Sequence, residues 1–246
     1  MLPTKLSYMS EQNGFRTTAV VLAIVPTEQG DEPSVILDQT LFYPRGGGQE
    51  SDAGVIKSSA GTFHVRETRF IDGYVHHAGA FSSGSFSVGA EVEIEIDQPK
   101  RRLNSRLHTA GHIIDEAVRV LNLDWFPTKG IHYFGKAAVE YRNNGGAAGD
   151  LAALAPKIEA EANRLIQTGC AVMADFVDVA SLPQCAHFIL PDLPTDKPIR
   201  VVTVWGTKGV PCGGTHVANV SDVGPLKIRY VKARKDAIKV AYEIQP

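Results

Sequence analysis

The residues of this chain best suited to chemistry form two pairs, His108 with His112 and Cys212 with His216. Side chains four positions apart on a helix lie one turn above each other, so the first two imidazoles can bind a single metal ion. The second pair has the spacing of a tight loop, and its thiolate is the soft ligand that a tetrahedral zinc site requires. The two pairs together therefore predict a site for Zn²⁺.

The number of ligands decides what such a zinc ion can do. With three protein ligands one coordination position stays open, and bound water there reaches a pKa of about 7. If His216 also ligates, the shell is closed, and the metal acts by shaping the pocket or by exchanging a ligand. The sequence leaves both arrangements open. It excludes a zincin protease, because Thr109 stands where the glutamate of His-Glu-x-x-His is required.

Apolar residues at helical spacing predict the element that carries the first pair. They form one stripe: Leu103, Leu107, Ala110, Ile114, Ala117 and Leu121. His108 and His112 lie at the edge of this stripe, where a half-buried side chain can face a cleft. Asp97 is a suitable N-cap and Pro99 suits the first turn, so we expect the helix to run from there to about residue 121.

The rest of the chain predicts an α+β fold in two domains. Residues 1–96 contain short β-forming runs separated by turn formers and no convincing helix, which indicates a small β-barrel or sandwich. Residues 97–246 combine two amphipathic helices with several strands, including a pair expected at 130–134 and 137–141. This pattern predicts helices packed on a mostly antiparallel sheet.

Composition bounds the location and the cofactors. The chain has 246 residues, 43% hydrophobic and 21% charged, as is typical of a globular protein of one or two domains. No apolar run suits a signal peptide or a membrane span, so we expect a cytoplasmic protein. No Gly-rich phosphate loop is present, and ATP is not expected to bind. The three cysteines are widely spaced and odd in number, which does not suit a disulfide framework, and only Cys212 lies among glycines.

The charges of the chain argue both against and for a nucleic-acid partner. The net charge of −2 and the pI near 6.4 argue against a nucleic-acid partner. Basic residues nevertheless cluster before the histidine pair and near the carboxyl end: Lys100, Arg101, Arg102 and Arg106, then Lys227, Arg229, Lys232, Arg234, Lys235 and Lys239. Two clusters that flank one site, with Arg106 next to the histidines, can hold phosphates in a weak, salt-sensitive manner.

Three segments resemble the alanyl-tRNA editing proteins, the AlaX family, in the family's order and over most of the chain. They are Phe42-Tyr43-Pro44-Arg45-Gly46-Gly47-Gly48-Gln49, Arg106-Leu107-His108-Thr109-Ala110-Gly111-His112 and Cys212-Gly213-Gly214-Thr215-His216-Val217. AlaX proteins are freestanding relatives of the editing domain of alanyl-tRNA synthetase. The resemblance implies zinc bound by His108, His112 and Cys212, often with His216 as a fourth ligand. It also implies that Gly46, Gly47, Gly48 and Gln49 face the editing pocket and bind substrate, whereas the sequence alone favours a flexible hairpin end.

The substrate that the resemblance implies is tRNA(Ala) mischarged with serine or glycine, whose aminoacyl ester is hydrolysed. Because alanyl-tRNA must be spared, a polar side chain is expected to read the seryl hydroxyl. Thr128, just before a Lys-Gly pair, and Thr109 in the histidine motif are the two predicted catalytic residues. The alternative, that each hydroxyl only satisfies a local backbone group, stays open for both. The synthetase branch often has threonine where this chain has Gly111, so hydrolysis is better supported than a preference for serine.

Two other interpretations stay open at this stage. One is a nucleic-acid-binding module whose zinc is purely structural, which predicts four tight ligands in a filled or apolar surround. The other is an editing enzyme for a different amino acid, as in the similar domain of threonyl-tRNA synthetase. A cleft with polar walls beside the metal would distinguish an enzyme from the structural module.

Overall fold

The computed structural model describes residues 2–11, 14–27, 30–144, 150–189, 193–206, 208–234 and 237–245. In chain order the elements are β1 (Lys5–Leu6), β2 (Arg16–Thr27), β3 (Gly30–Leu37), β4 (Gln39–Thr40), β5 (Gly54–Ser58), β6 (Gly61–Ile71), β7 (Tyr74–Gly84), β8 (Glu91–Ile96), α1 (Gln98–Val120), β9 (Trp125–Ile131), β10 (Ala138–Asn143), α2 (Leu151–Gln167), β11 (Met173–Val177), α3 (Leu182–Cys185), β12 (Ile199–Thr203), β13 (Val210–Pro211), β14 (Leu226–Arg234) and β15 (Ala237–Ile244). Short 3₁₀ segments lie at Ser7–Met9, Val179–Ser181 and Val220–Val223. Contacts divide the chain into two compact units, Met1–Arg102 and Leu103–Pro246. The assignment of each unit to a functional domain stays a proposal.

Unit 1 contains a closed barrel of six antiparallel strands in the order β2-β3-β7-β6-β5-β8. Its strands alternate inward and outward residues. In β8, for example, Val92, Ile94 and Ile96 are buried between more exposed glutamates. Closure leaves the barrel without a free sheet edge. The small β-barrel predicted from the sequence is therefore confirmed.

A buried ion pair holds the first turn of α1 in unit 1. The Arg101 and Asp52 side chains are 1% and 0% exposed, and Nε of Arg101 lies 2.9 Å from Oδ2 of Asp52. The same oxygen accepts the backbone N–H of Tyr43 at 2.7 Å. The predicted N-cap is also confirmed, because Oδ1 of Asp97 accepts the N–H of Lys100 at 3.1 Å. Breaking a buried pair of this kind costs about 3–5 kcal/mol, so the ion pair fixes the start of the helix.

Unit 2 combines helices with two sheets, in the strand orders β14-β15-β10-β9 and β11-β12-β13, and every strand pairing within them is antiparallel. The apolar faces of α1 and α2 pack into one core with the four-stranded sheet. Helix α2 also covers the edge of β14, because Asn163 accepts the N–H of Leu226 at 3.0 Å and Glu159 accepts that of Ile228 at 2.8 Å. This arrangement confirms the predicted α+β class.

The strand prediction at residues 130–134 is wrong in its boundaries. Strand β9 starts at Trp125 and ends at Ile131, and it pairs with β10 over that length. The segment after it leaves the sheet in a turn closed by the N–H of Lys136 and the carbonyl of Tyr133, 2.9 Å apart. The earlier start brings Trp125 and Phe126 into an ordered strand beside α1. Within the described ranges, no helix is both long enough and apolar enough to cross a bilayer.

The buried histidine of the barrel should make its stability depend on pH. His77 is fully buried; its Nδ1 donates to the carbonyl of Val35 and its Nε2 accepts from the hydroxyl of Thr40, each at 2.8 Å. Burial lowers the pKa of His77 to about 4, below the unfolded value of about 6.5. The unfolded state therefore binds a proton first, and stability is lost as the pH falls from about 6.5 towards 4.

We expect this one residue to lower the free energy of unfolding of the barrel by about 2 kcal/mol between pH 7 and pH 5, at 1.36 kcal/mol per pKa unit. Urea unfolding at the two pH values measures the difference for the wild type and for His77→Gln, which should lose most of it. His64→Gln, at an exposed position of β6, is the matched control. An equal pH dependence in the wild type and in His77→Gln would contradict the prediction.

Candidate metal centre and adjoining cavity

Helix α1 directs the first histidine pair. The rings of His108 and His112 have centroids 5.4 Å apart and planes 25° from parallel. Leu107, Ala110 and Ile114, which follow the predicted stripe, are buried in the core of unit 2. Packing of that stripe fixes the rotation of the helix, and the rotation fixes the direction in which the imidazoles project.

The loop after β13 carries the second pair, and a buried arginine holds it in place. Arg200 on β12 is 5% exposed, and its Nη1 donates to the carbonyls of Cys212 and Gly214 at 2.7 and 3.0 Å. The hydroxyls of Thr215 and Ser105 lie 2.8 Å apart and join the loop to α1. Arg200 was not predicted from the sequence, although a single charge within the apolar run of β12 is a usable signal for such a role.

The structure brings the two pairs together. One possible ligand atom each from His108, His112, Cys212 and His216 lie within 4.8 Å of one another. Sγ of Cys212 is 3.5 Å from Nε2 of His108 and 3.4 Å from Nε2 of His216. Tetrahedral zinc with bonds of about 2.0 Å to nitrogen and 2.3 Å to sulfur places these ligand atoms about 3.5 Å apart. The donor set and its spacing therefore fit a zinc ion.

Thr109 orients His216 towards the cluster. Its hydroxyl donates to the carbonyl of Ser105 at 2.8 Å, so it can only accept from its other partners. One partner is the N–H of Val217 at 3.2 Å, and the other is Nδ1 of His216, also at 3.2 Å. His216 must then carry its proton on Nδ1, which leaves the lone pair of Nε2 directed at Cys212. This is the tautomer that a metal ligand needs.

Burial sets the charges of the cluster. It lowers the pKa of His112 to about 4 and the pKa values of His108 and His216 well below their usual range, and nearby Arg200 lowers them further. Burial raises the pKa of the Cys212 thiol, against the opposing effect of a hydrogen bond from the N–H of Gly214. The imidazoles are therefore neutral at pH 7, as metal binding requires, and the thiol must lose its proton to a bound metal.

His132 packs against the cluster, although the sequence shows no partner for it at ligand spacing. Its ring stacks on His108 with centroids 4.4 Å apart and planes 18° from parallel. The hydroxyl of Tyr242 donates to the carbonyl of Leu107 at 2.8 Å and therefore accepts from Nδ1 of His132 at 2.7 Å. Burial lowers the pKa of His132 to about 3. His132 is thus a neutral, fixed ring that supports His108.

Gly111 provides the space that His132 occupies. A Cβ atom at position 111 would lie 2.4 Å from Cε1 and 2.9 Å from Nδ1 of the His132 ring. Gly111 is the position at which the sequence departs from the threonine often found in the synthetase branch. That departure was the sequence signal that could have pointed to His132.

A cavity of about 440 Å³ opens beside His112. Its lining is mainly apolar and aromatic, and the side chains include Trp125, Phe126, Phe188 and Trp205. Charged and polar lining residues are His112, Asp115, Glu116, Arg119, Asn122, Asp124, Tyr141, His187 and Lys208. The volume and the lining, apolar with a few polar groups, are typical of sites for small ligands.

Neither predicted catalytic threonine lines this cavity. Thr128 is exposed on β9, and its hydroxyl donates to the carbonyl of Glu140 at 3.0 Å. Thr109 is buried, and its hydroxyl contacts Nδ1 of His216. Arg106 donates from Nη2 to the carbonyls of Val223 and Gln245 at 2.9 and 2.6 Å. These contacts give Thr128, Thr109 and Arg106 partners within the chain, and their roles in catalysis or substrate binding stay predictions.

The glycine-rich loop belongs to unit 1 and forms an ordered turn. The N–H of Gln49 bonds to the carbonyl of Gly46 at 2.8 Å, and Gly47 and Gly48 between them have φ values of +50° and +74°. Such a turn requires positive φ at both central positions, which glycine adopts without strain. The role of Gly46, Gly47, Gly48 and Gln49 in substrate binding stays a prediction.

Comparison with known proteins identifies the relatives of this chain. Residues 15–100 match the class II (A) tRNA synthetase family, and residues 199–239, which contain Cys212 and His216, match the threonyl and alanyl tRNA synthetase second additional domain. The chain is 31% identical over 219 residues to the alanyl-tRNA editing protein AlaX-L of Pyrococcus horikoshii, a match that covers 87% of the chain and 52% of that protein. The chain belongs to the alanyl-tRNA editing family, AlaX.

Alanine–tRNA ligases are also similar to this AlaX-family chain. The ligase of Methanothrix thermoacetophila is 35% identical over 214 residues, covering 85% of the chain and 22% of the ligase. That of Haloquadratum walsbyi is 30% identical over 241 residues, covering 94% of the chain and 24% of the ligase. The chain thus spans about half the length of AlaX-L and less than a quarter of these two ligases.

The fit between Gly111 and His132 can be tested by overpacking. Gly111→Ala should displace the His132 ring and disturb His108, because the ring is held by Tyr242 and cannot move freely. Overpacking of about 1–3 kcal/mol corresponds to a loss of zinc affinity of about 5- to 150-fold, measured by competition with a chelator. The double variant Gly111→Ala, His132→Ala removes the clash and should recover part of the affinity. Zinc binding by Gly111→Ala equal to that of the wild type would refute this account of the site.

Proposed function

We propose that this AlaX-family chain hydrolyses the aminoacyl ester of mischarged tRNA(Ala), Ser-tRNA(Ala) and/or Gly-tRNA(Ala), with zinc at the His/Cys cluster. The observation that carries the proposal is that the four-donor cluster meets, at His112, a cavity large enough for a small ligand. A purely structural zinc needs no such cavity. The names of the relatives, an alanyl-tRNA editing protein and alanine–tRNA ligases, support tRNA(Ala) as the carrier.

In this proposal His108, His112, Cys212 and His216 hold the zinc ion. A zinc ion held by all four would supply a fixed positive charge at the wall of the cavity, and it would act as a Lewis acid only by exchanging one of these ligands. The chain's own residues keep the donors in place: Thr109 holds the tautomer of His216, Arg200 holds the loop of Cys212, and His132 supports the ring of His108. All of these contacts lie within unit 2.

The cavity suits the end of an aminoacyl-tRNA. The rings of Phe126 and Phe188 pack edge to face with centroids 5.4 Å apart, and flat apolar faces of this kind bind sugars and bases while excluding bulk water. Arg119 and Lys208 are cations in the lining that can contact a phosphate.

Deacylation of tRNA(Ala) charged with serine, glycine or alanine tests this proposal, with zinc counted in the same sample. We expect hydrolysis of a mischarged ester, alanine spared, and loss of both zinc and activity in Cys212→Ala, because the thiolate is one of four ligands. Cys185→Ala removes a thiol outside the cluster and serves as the matched control. A protein that holds zinc and hydrolyses none of the three esters would overturn the proposal.

A second candidate is the editing of a different amino acid. The domain that matches residues 199–239 is shared by threonyl and alanyl tRNA synthetases, which is the observation that favours it. Seryl-tRNA(Thr), included as a fourth substrate in the same assay, separates the two candidates by the ratio of kcat/KM values on the two tRNAs.

Strand β14 carries the basic residues that we propose to contact the tRNA backbone. Lys227, Arg229, Lys232 and Arg234 are exposed, while Leu226, Ile228 and Val231 between them are buried. A bulge between residues 228 and 230 shifts the alternation by one residue, so that the four basic side chains stay on the open face. Arg101 of the other predicted cluster is buried in its ion pair, and Lys235 lies outside the described residues.

A cytoplasmic location stays a prediction.

Phosphate contacts by this strand should appear as a salt dependence. Each lost contact with single-stranded or duplex nucleic acid lowers the slope of log K against log salt by about 0.7–0.9. Lys232→Gln with Arg234→Gln should therefore weaken tRNA binding and reduce the slope by roughly 1.4–1.8, measured from binding titrations at several salt concentrations. Lys197→Gln, at an exposed residue with no described partner, is the control. A slope unchanged by the double variant would place the phosphate contacts elsewhere.

A further inference from the structure

Asp115 is a carboxylate in the cavity wall that the proposed reaction has not yet used. It lies three residues after His112 on α1, and both side chains line the same cavity. Residues at this spacing share one face of a helix and are separated by about 4.5 Å along its axis, at 1.5 Å per residue. Asp115 is half-buried, and its exposed side faces the cavity.

Among the described residues, the Asp115 carboxylate accepts one side-chain hydrogen bond and has no cationic side chain as an ion-pair partner. The hydroxyl of Tyr141 donates to Oδ1 of Asp115 at 2.6 Å. Burial raises the pKa of Asp115 to about 7, and the negative charge of Glu116 adds to this effect. A carboxylate in such a position is stabilised by a ligand that brings a positive charge.

The other carboxylates of the cavity lining have different surroundings. Glu116 accepts from Nε of Arg119 at 2.8 Å and is therefore paired. Asp124 is exposed and accepts from the amide of Asn144 at 3.4 Å. Asp115 alone among these three combines partial burial, a fixed orientation and a position one turn from His112. It is the acidic group best placed to select for charge in a bound ligand.

From this geometry we infer that Asp115 binds the α-ammonium group of the aminoacyl ester, and this inference rests on the proposed deacylase function. In an aminoacyl ester the nitrogen is attached to the carbon next to the carbonyl, so an ester held at His112 brings its ammonium close to the next turn of α1. The ammonium donates a charge-assisted hydrogen bond to the carboxylate. Asp115 is then a substrate-binding residue that positions the ester by its nitrogen.

Binding of the ammonium makes the site selective for a free amino group, independently of the side chain of the esterified amino acid. An ester whose nitrogen is acylated, as in N-acetylated aminoacyl-tRNA or in peptidyl-tRNA, has no positive charge and only one N–H to donate where the ammonium has three. Binding it would leave the Asp115 carboxylate without its cation, which penalises the complex. The site would therefore hydrolyse esters whose amino acid has a free amino group and spare tRNA that carries a growing peptide.

The test compares two esters of the same tRNA, Ser-tRNA(Ala) and N-acetyl-Ser-tRNA(Ala), with the purified chain loaded with zinc. A hydrogen bond between charged groups contributes about 1.5–3 kcal/mol, or roughly 10- to 100-fold. The wild type should therefore prefer the free ester by that factor in kcat/KM. Asp115→Asn should lose the preference, mainly through a higher KM for the free ester, with an unchanged zinc content.

Two further variants separate a binding role from a structural one. Tyr141→Phe removes the donor that orients the carboxylate and should reduce the preference partly. Asp175→Asn makes the same change of charge at an exposed position of β11 and should keep the wild-type preference.

The outcomes distinguish this inference from the proposed function. If the wild type hydrolyses the free ester but does not prefer it over the acetylated one, Asp115 does not bind the ammonium, and this holds even if Asp115→Asn fails to fold. Retention of the wild-type preference by a folded Asp115→Asn protein also overturns the inference while leaving the deacylase function intact. No hydrolysis of any seryl, glycyl or alanyl ester by the wild type overturns the proposed function, and the inference with it.

Discussion

Unit 2 depends on one constraint, which is that the ligand atoms of three imidazoles and a thiol lie within 4.8 Å of one another in a largely buried region. Such a group is compatible with folding only while its rings are uncharged, because protonated rings at this separation would repel one another without solvent screening. Burial favours the neutral form of every ring, and the same form presents lone pairs to a metal. The neutral form of the rings, which burial favours, is therefore the form that both folding of unit 2 and metal binding require.

The surrounding hydrogen bonds fix which ring nitrogen of a neutral histidine carries the proton, and so the direction in which the other nitrogen presents its lone pair. Two hydroxyls, of Thr109 and Tyr242, each donate to a carbonyl of α1 and therefore accept from a ring N–H. The helix backbone in this way sets the tautomers of His216 and His132. Arg200 performs a related function on the opposite side, where it holds the carbonyls of the cysteine loop. Each of these contacts is directional, so the cluster is ordered by its supports as well as by its own packing.

The two faces of the cluster differ in a way that matters for function. On one face His132 fills the space above Gly111 and leaves no room for another side chain. On the other, His112 borders an open cavity with aromatic walls, in which Asp115 is fixed by Tyr141. A site closed on one side and open on the other can accept a ligand from one direction only. This asymmetry is why the geometry favours a site of reaction over a structural zinc.

The sequence alone predicted the helix, the barrel and the four clustered residues, because these depend on local spacing: i and i+4 on a helix, alternation in a strand, and a short loop between Cys212 and His216. It did not predict His132, Arg200 or Tyr242, which reach the site from the segment after β9, from β12 and from β15, and it left open whether the hydroxyls of Thr109 and Thr128 would bond to backbone groups. Those outcomes depend on which strands pair and where side chains from distant segments meet. Spacing along a chain determines which residues can share a helix face, and only tertiary packing decides which of them border a cavity.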